Sequence, residues 1–482
     1  MIGTLQQTTT APDAPIRQAR GRVGIFGIGL AAYWPQFPGL KERLEGYTRR
    51  VIERVAPWAE VVSASLVDDA EGARAAGDLF AREQVDVILL HTATYATSSQ
   101  VLPAVQRAGV PVVVLNLQPV AALDYAHADT GEWLANCSAC CAPELAGTFA
   151  RARVPYQVVS GLITGDDETR AWTEIRSWCR ATGAVRALRD ARIGFLGHTY
   201  PGMLDMYSDF TQHHAQLGLH VEVLEMDDLQ AHVEAVTDAD VDRVLAETRD
   251  MFALDDTVSA ERLRWGARVA TGMDRLVADY RLDALVYYYR GRGAFEELGA
   301  GLILGGSRLT ARGVPCAGEG DLKNAVAMLL LDRLGAGGSY TEFYAMDLAE
   351  GFVLMGHDGP GHVAISDRKP VLRGLGLYHG KAGHGVSVEF AVKTGPVTIL
   401  GVTQTADGRL KLLAAEGESL PGETLRIGNT NSRLRFALPP DRFIDRWCQE
   451  GPTHHVALGV GHEAATLRKV GRLLGLETVV VE

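Results

Sequence analysis

The stretch VGIFGIG, residues 23–29, is an apolar run that ends in a glycine turn. Three further runs rich in β-branched residues follow, with helical stretches such as residues 40–55 between them. Strands that alternate with helices predict a parallel sheet covered on both faces. Residues 22–175 are therefore predicted to form an α/β domain. Its strand candidates are residues 23–28, 61–66, 85–90 and 110–115.

The same alternation restarts after residue 190 and predicts a second α/β domain, residues 176–335. Its strand candidates are residues 192–196, 220–224 and 284–289, and its helix candidates are residues 240–251 and 260–280. After residue 335, short strand-like segments separated by Gly, Asp and Pro predict a β-rich domain, residues 336–482, that is a small barrel or sandwich. Residues 1–21 are polar and are expected to form a loose tail.

The bulk composition is that of a globular protein, with 47% apolar and 22% charged residues. A formal charge of −12 argues against a nucleic-acid partner, which usually requires the opposite sign. We expect no membrane span, because no stretch reaches about 18 apolar residues. The N-terminus lacks the apolar core of a secretory signal, and six cysteines do not form a disulfide framework. These features predict a cytoplasmic protein.

The motif Gly27-Ile28-Gly29-Leu30-Ala31-Ala32 follows the first strand candidate and fits a loose dinucleotide-binding fingerprint. The acidic residue expected after the second strand, Asp68, lies about 40 positions downstream, twice the usual spacing. Pro35 also interrupts the helix that should follow. Despite these departures, the motif leaves an NAD-dependent oxidoreductase as one alternative. The other reading is a glycine turn at the carboxyl end of a strand, a place where α/β sheets still bind ligands.

The segment Cys137-Ser138-Ala139-Cys140-Cys141 looks like half of a zinc site, but no second cysteine or histidine pair of suitable spacing accompanies it. Small buried thiols in a loop are one explanation of this segment. A pocket lining is the other.

Four polar side chains in the second half of the chain form a possible ligand set. Glu319 opens an apolar helix, Glu342 lies in an aromatic segment, His357 lies in a glycine-rich loop, and His455 ends a histidine pair. Two carboxylates and two imidazoles suit Mn²⁺, Co²⁺ or Mg²⁺ better than thiolates would. Capping glutamates and surface histidines would explain the same residues without a metal.

These segments resemble the L-arabinose isomerase and L-fucose isomerase superfamily. The turn Gly318-Glu319-Gly320-Asp321 resembles its "EGD" helix start, and Glu342 matches its second acid. His455 falls on the histidine of its C-terminal pair, and His357 falls on a histidine of the arabinose-type enzymes. The segments 415–417 and 429–432 resemble fucose isomerases instead. The chain thus looks like a member intermediate between the two branches.

The resemblance implies an aldose–ketose isomerase that acts on a pentose or (deoxy)hexose through an ene-diol. Glu319, Glu342, His357 and His455 would hold Mn²⁺ or a similar ion, and the two glutamates would also shuttle the proton. The resemblance further implies a homo-trimer or homo-hexamer with the active site between subunits. A non-catalytic sugar-binding protein is a further alternative.

Several other residues are expected to contact the sugar or to support the ligands. Asp321 and Asp358 either hydrogen-bond to the metal ligands and fix their orientation, or are ordinary helix-cap and turn residues. In arabinose isomerases a loop of the type "NQTAH" faces the sugar, and residues 136–140 of this chain replace it with thiols. The expected substrate contacts are Tyr33, Trp34, Cys137, Cys140, His362 and Lys381.

Overall fold

The computed structural model describes residues 18–167, 169–288, 294–374 and 385–482. The chain divides into two compact units, residues 19–186 and a second unit that contains residue 18 and residues 187–482. The predicted division at residues 175 and 176 falls inside a helix, Arg170–Arg189. The three-domain arrangement stays a prediction. Lys381 and residues 1–17 of the predicted tail lie outside the described residues.

The N-terminal unit contains a five-stranded parallel sheet. Its strands are β1 Arg22–Ile28, β2 Glu60–Val67, β3 Val87–His91, β4 Val112–Gln118 and β5 Tyr156–Leu162. Its helices are α1 Leu40–Val55, α2 Ala70–Arg82, α3 Leu102–Ala108, α4 Thr130–Leu134, α5 Cys141–Ala152 and α6 Arg170–Arg189. The strand order β2-β1-β3-β4-β5 is a doubly wound order. It puts a ligand crevice outside the carboxyl ends of β1 and β3.

The second unit begins with another parallel sheet. Its strands are β6 Arg192–Gly197, β7 His220–Leu224, β9 Ala284–Tyr288 and β10 Cys316–Ala317, in the order β10-β9-β6-β7. A two-residue strand, β8 Ala253–Leu254, lies apart from it. The helices are α7 Phe210–Leu217, α8 Met226–Glu234, α9 Asp238–Met251, α10 Ala260–Tyr280, α11 Ala294–Ala300, α12 Leu302–Ala311 and α13 Leu322–Arg333. Parallel α/β sheets are thus confirmed in both predicted α/β regions.

The C-terminal part of the second unit is a closed antiparallel barrel. Its strands are β11 Ser339–Asp347, β12 Phe352–His357, β15 Gly395–Gln404, β16 Leu410–Leu420, β17 Thr430–Phe436 and β18 His455–Val460. The ring runs β15-β18-β11-β12-β17-β16 and closes because β15 also pairs with β16. The strand β19 Glu477–Val480 pairs with β16 in parallel. A separate three-stranded sheet has the order β14-β13-β8, in which β13 Val371–Gly374 lies between β14 Val386–Glu389 and β8. The predicted β-rich region is confirmed.

Two helices complete this part, α14 Pro440–Cys448 and α15 Ala464–Leu474. Phe443 and Trp447 of α14 are buried against the aromatic ring of Phe343 on β11, which anchors the helix to the barrel. Helix α13 is buried on nearly every face between the second sheet and the barrel. Across the described ranges, no helix combines the length and the apolar character needed to cross a membrane.

Candidate metal centre

Glu319 lies in a strained turn between β10 and α13. Its φ of 57° is in the left-handed region, which non-glycine residues rarely adopt. The turn is held by the loop after β6, because Tyr200 N donates to Glu319 O at 2.8 Å and Thr199 Oγ1 donates to Gly320 O at 3.1 Å. The side chain of Glu319 is therefore fixed at the carboxyl edge of the second sheet, where such sheets bind ligands.

Glu342 and His455 are brought together by strand register. They are direct partners in the antiparallel pair of β11 with β18. On the other side of β11, Glu342 pairs with Gly356, which precedes His357 at the end of β12. Three adjacent barrel strands thus supply three of the four predicted ligands. Thr430 holds the backbone of His357, since His357 N donates to Thr430 Oγ1 at 3.0 Å.

The four predicted ligands lie close together. His455 Nε2 lies 3.6 Å from Glu319 Oε2, and His357 Nε2 lies 3.9 Å from Glu319 Oε1. The rings of His357 and His455 are 5.0 Å apart. Glu342, His357 and His455 each offer a ligand atom within 4.8 Å of the other two, and so do Glu319, His357 and Asp358. The four predicted ligands are therefore linked through shared histidines, although among the described residues no one group of potential ligands contains both glutamates.

Asp321 connects one of these imidazoles to the start of α13. It is fully buried, its Oδ1 caps the helix by accepting from Asn324 N at 3.0 Å, and its Oδ2 lies 3.0 Å from His455 Nδ1. An ionised carboxylate only accepts hydrogen bonds, so this contact places the proton of His455 on Nδ1. The lone pair of Nε2 is then directed towards Glu319, as a metal ligand requires.

Asp358 lies beside His357 as Asp321 lies beside His455, but at a longer distance. Its Oδ1 lies 3.5 Å from His357 Nδ1, while the other ring nitrogen of His357 faces Glu319. Asp321 and Asp358 were each open to two readings from the sequence. Asp321 makes both contacts at once, since it caps α13 and lies against His455.

The surroundings of the Glu319 carboxylate favour a nearby positive charge. Burial raises the pKa of Glu319, the charge of His455 opposes that rise, and Asp358 and Glu342 add to it. Among the described residues, its buried Oε2 has no hydrogen-bond partner. A buried carboxylate oxygen without a hydrogen bond is costly unless a cation or a proton satisfies it. A hard oxygen and nitrogen donor set around that atom fits a Mn²⁺-type ion.

Tyr340 is a buried neighbour of the site that sequence reasoning did not select. Its hydroxyl donates to Gly318 O at 3.2 Å and lies 2.9 Å from His455 Nδ1. Its ring centroid lies 4.3 Å from that of His357 and 4.6 Å from that of His455. Burial, followed by the charges of the nearby carboxylates, raises the pKa of Tyr340 well above its usual value, so the phenol stays neutral. The only signal was its place in the segment around Glu342.

His454, the other member of the histidine pair, faces a different partner. Its Nδ1 lies 2.7 Å from Asp205 Oδ2, and its backbone N–H donates to the same oxygen at 3.0 Å. Burial lowers the pKa of His454, but the hydrogen bond and charge of Asp205 outweigh that effect and leave it raised. His454 can also join Glu319 and His455 as a ligand group. Nothing in the sequence linked Asp205 to this pair.

His362 does not lie with the four ligands. It is buried, and its Nε2 lies 3.6 Å from Asp332 Oδ1, near the last turn of α13. Asp321 caps the first turn of the same helix, and the two aspartates are 11 positions apart (332 − 321), about 16 Å along the axis. The proposed sugar contact of His362 is not tested by this placement.

The loop after β1 in the N-terminal unit is a packed turn. A Cβ on Gly27 would lie 2.1 Å from Thr48 Oγ1, and one on Gly29 would lie 2.8 Å from the ring of Trp34. The carboxylate of Asp68 accepts from Trp34 Nε1 at 2.7 Å and from Lys41 Nζ at 2.9 Å. The glycines are thus explained by close packing, and the acid that a dinucleotide ribose would need already has two donors.

Tyr33 and the cysteine segment are neighbours within the N-terminal unit. Burial raises the pKa of Tyr33, and the nearby thiols Cys137, Cys140 and Cys141 add to the rise. Cys137 is buried and Cys140 is exposed. No cysteine belongs to any group of potential metal ligands among the described residues. The likeness to half of a zinc site therefore has no support among the described residues.

Comparison with known proteins finds sugar isomerases. A family model described as the L-arabinose isomerase central domain matches residues 207–337. L-arabinose isomerase of Nocardioides sp. is 27% identical over 385 residues, which cover 77% of this chain and 75% of that protein. L-arabinose isomerase of Aeromonas salmonicida is 25% identical, covering 83% of this chain and 81% of that protein.

A second kind of relative matches equally broadly. Sulfoquinovose isomerase of Alkalicoccus urumqiensis is 24% identical over 404 residues, which cover 82% of this chain and 86% of that protein. Over most of its length the chain is similar to arabinose isomerases and other sugar isomerases. It is accordingly a sugar isomerase, an enzyme that interconverts an aldose and a ketose. The relatives carry two different sugar names, so the likeness leaves the sugar itself open.

Proposed function

We propose that this sugar isomerase depends on Mn²⁺ or a similar divalent ion, such as Co²⁺ or Mg²⁺, held by Glu319, Glu342, His357 and His455. The observation that supports this most directly is the buried Glu319 Oε2, which lacks a hydrogen bond among the described residues and lies 3.6 Å from an imidazole nitrogen. Strand register gives a second line of support, because it sets Glu342 directly opposite His455.

Isomerisation moves a proton between two adjacent carbons through an ene-diol and therefore needs a group that takes it and returns it. A bound divalent ion would supply positive charge beside the reacting oxygens. The two carboxylates are the groups that would carry the proton. Burial favours the protonated form of Glu319, and this suits it to hold a proton in the course of turnover. Asp321 and Tyr340 would keep His455 in place during that exchange.

The test combines metal removal with substitution. Enzyme from which a chelator has removed the metal should lose aldose-to-ketose turnover and recover it on addition of Mn²⁺. Glu319→Gln and Glu342→Gln should each abolish turnover, because each loses a charged ligand and a proton carrier while keeping its size. Glu350→Gln, on an exposed turn between β11 and β12, is the matched control and should be fully active. A loss of less than about tenfold, or roughly 1.4 kcal/mol of barrier, would make the glutamate structural.

We further propose a pentose or a (deoxy)hexose as substrate and a cytoplasmic homo-trimer or homo-hexamer with its active site between subunits. The support is the sequence resemblance together with the relatives' names. A panel of aldoses that includes L-arabinose, sulfoquinovose and deoxyhexoses, assayed with Mn²⁺, would identify the sugar. Turnover in that panel without added nicotinamide cofactor would also exclude an oxidoreductase and a non-catalytic binder. Light scattering would give the assembly.

A further inference from the structure

The cysteine segment before α5 contains two thiols of opposite accessibility. Cys137 is buried in the turn that follows α4, whereas Cys140 is exposed and is the residue immediately before the first turn of α5. The chain folds back between them, so that Cys140 Sγ lies 3.5 Å from Cys137 O. A small oxidant in solution can reach Cys140 and cannot readily reach Cys137.

The two cysteines also lie in one tight turn, because Cys140 Sγ donates to the backbone carbonyl of Cys137. Burial raises the pKa of Cys137 to about 12, and the contact with Cys140 adds to the rise. Cys137 is thus a poor nucleophile towards outside reagents, while the thiol of Cys140 belongs to the same turn.

The third thiol of the segment is engaged elsewhere. Cys141 is fully buried and donates its S–H to Ala96 O at 3.2 Å. Cys179 and Cys316 are buried as well, and Cys448 on α14 is exposed. Cys448 has no other cysteine near it in the sequence. It is therefore a natural control for an accessible thiol without a neighbouring thiol.

We propose that Cys137 and Cys140 form a reversible intramolecular disulfide when the protein meets a small-molecule disulfide such as oxidised glutathione. The thiolate of Cys140 attacks one sulfur of the reagent, forms a mixed disulfide and releases one molecule of thiolate. Cys137 then loses its proton and attacks the sulfur of Cys140, which breaks the mixed disulfide and releases the second thiolate. Two protein thiols are oxidised, one reagent disulfide is reduced, and the two thiol protons end on the released molecules.

The experiment treats the fully reduced, full-length protein with oxidised glutathione and follows its intact mass and peptide map. The wild type should lose two hydrogen atoms within the segment 137–140 and gain one glutathione at Cys448. Cys137→Ser should keep a stable glutathione on Cys140, because the resolving thiol is gone. Cys140→Ser should leave Cys137 as a free thiol. Cys448→Ser should still form the disulfide, and so should Cys141→Ala.

Circular dichroism melts verify that each variant is folded, and Cys137→Ala replaces Cys137→Ser if the serine variant is not. A persistent glutathione on Cys140 of the wild type would overturn the proposal, because it shows that Cys137 does not resolve the adduct. Loss of the disulfide in Cys141→Ala, or reaction of Cys448 without any reaction of Cys140, would overturn it equally. None of these readouts depends on the metal or on isomerase activity.

Discussion

The substitution Asp321→Asn should weaken metal binding while leaving the cap of helix α13 intact. Asparagine caps helices as well as aspartate does, so its side-chain oxygen can still accept from Asn324 N at the start of α13. The position facing His455 Nδ1, now an accepting oxygen at 3.0 Å, would carry an NH₂ group or a neutral carbonyl. We expect His455 to move its proton to Nε2 and to lose the lone pair that faces Glu319.

The size of the effect follows from this local change. Loss of a carboxylate behind a metal-bound histidine typically weakens metal binding about 10- to 100-fold. At about 1.4 kcal/mol per factor of ten, that corresponds to roughly 1.4–2.8 kcal/mol of binding free energy. Folding stability should change less than that, because the helix cap survives. Asp321→Ala removes the cap as well and should cost about a further 1 kcal/mol of stability.

The assay is a calorimetric titration of metal-free protein with Mn²⁺, which measures the affinity. A thermal melt without metal measures the folding stability in parallel. Asp69→Asn is the matched control, because Asp69 caps α2 by accepting from Gly72 N at 2.7 Å, in the N-terminal unit. The control should bind Mn²⁺ as the wild type does. If Asp321→Asn also binds Mn²⁺ within a factor of about two of the wild type, the carboxylate does not orient His455 and the reasoning fails.

Three shorter predictions concern stability and specificity. Burial lowers the pKa of His91 from 6.5 to about 4, so the unfolded chain binds the proton more tightly than the folded protein does. The contribution of His91 to the free energy of unfolding is therefore fully present above pH 6.5 and is lost as the pH falls towards 4. Denaturant melts should show that His91→Gln removes up to roughly 3 kcal/mol of this dependence; an unchanged slope would contradict it. Gly320→Ala should destabilise the fold by at least about 1–2 kcal/mol, because its φ is +73° and a Cβ would lie 2.4 Å from His198 O; a wild-type melting temperature would contradict this. Cys137→Gln with Cys140→His should raise kcat/KM for L-arabinose relative to the best sugar, and a wild type that already prefers L-arabinose would show that these thiols do not set specificity.

Most α/β strands could be predicted from the sequence because parallel strands are buried on both faces. A strand of that kind is a short continuous apolar run, and β3 is buried at every position. Residues 220–224 and 260–280 were predicted with the observed bounds of β7 and α10. The limits of a short apolar run and the length of an amphipathic helix are local properties of the chain, so they can be read without tertiary information.

The barrel strands that carry the site were harder to identify. β11 is buried over its first three residues and partly exposed afterwards, so it has neither a continuous apolar run nor a clean alternation. β18 begins at His455 itself, directly after a polar loop. Each strand carries one of the predicted ligands, Glu342 on β11 and His455 at the start of β18. Residues 339–347 and 455–460 are therefore not predicted as strands from the sequence, although the sequence does single out Glu342 and His455 as candidate ligands.

Contacts between distant segments left no local signal at all. Asp205 meets His454 across 249 positions, and Tyr340 meets His455 across 115. The motif pattern could suggest that two acids and two histidines belong together, but it could not supply the residues that orient them. Those residues are ordinary in sequence and acquire a role only through strand register and helix packing.

Helix α13 explains how a strained turn and a rigid barrel come to share one site. Its residues from Leu322 to Asp332 are all buried, which is expected of a helix that packs on every side and has no amphipathic stripe. Such a helix cannot rotate without opening cavities on several faces at once. Its N-terminal cap, Asp321, is therefore held against His455 of the barrel, and Glu319, two residues earlier, is held beside the same imidazole. The left-handed conformation of Glu319 persists because the packing of α13 fixes one end of the turn and the loop after β6 fixes the other.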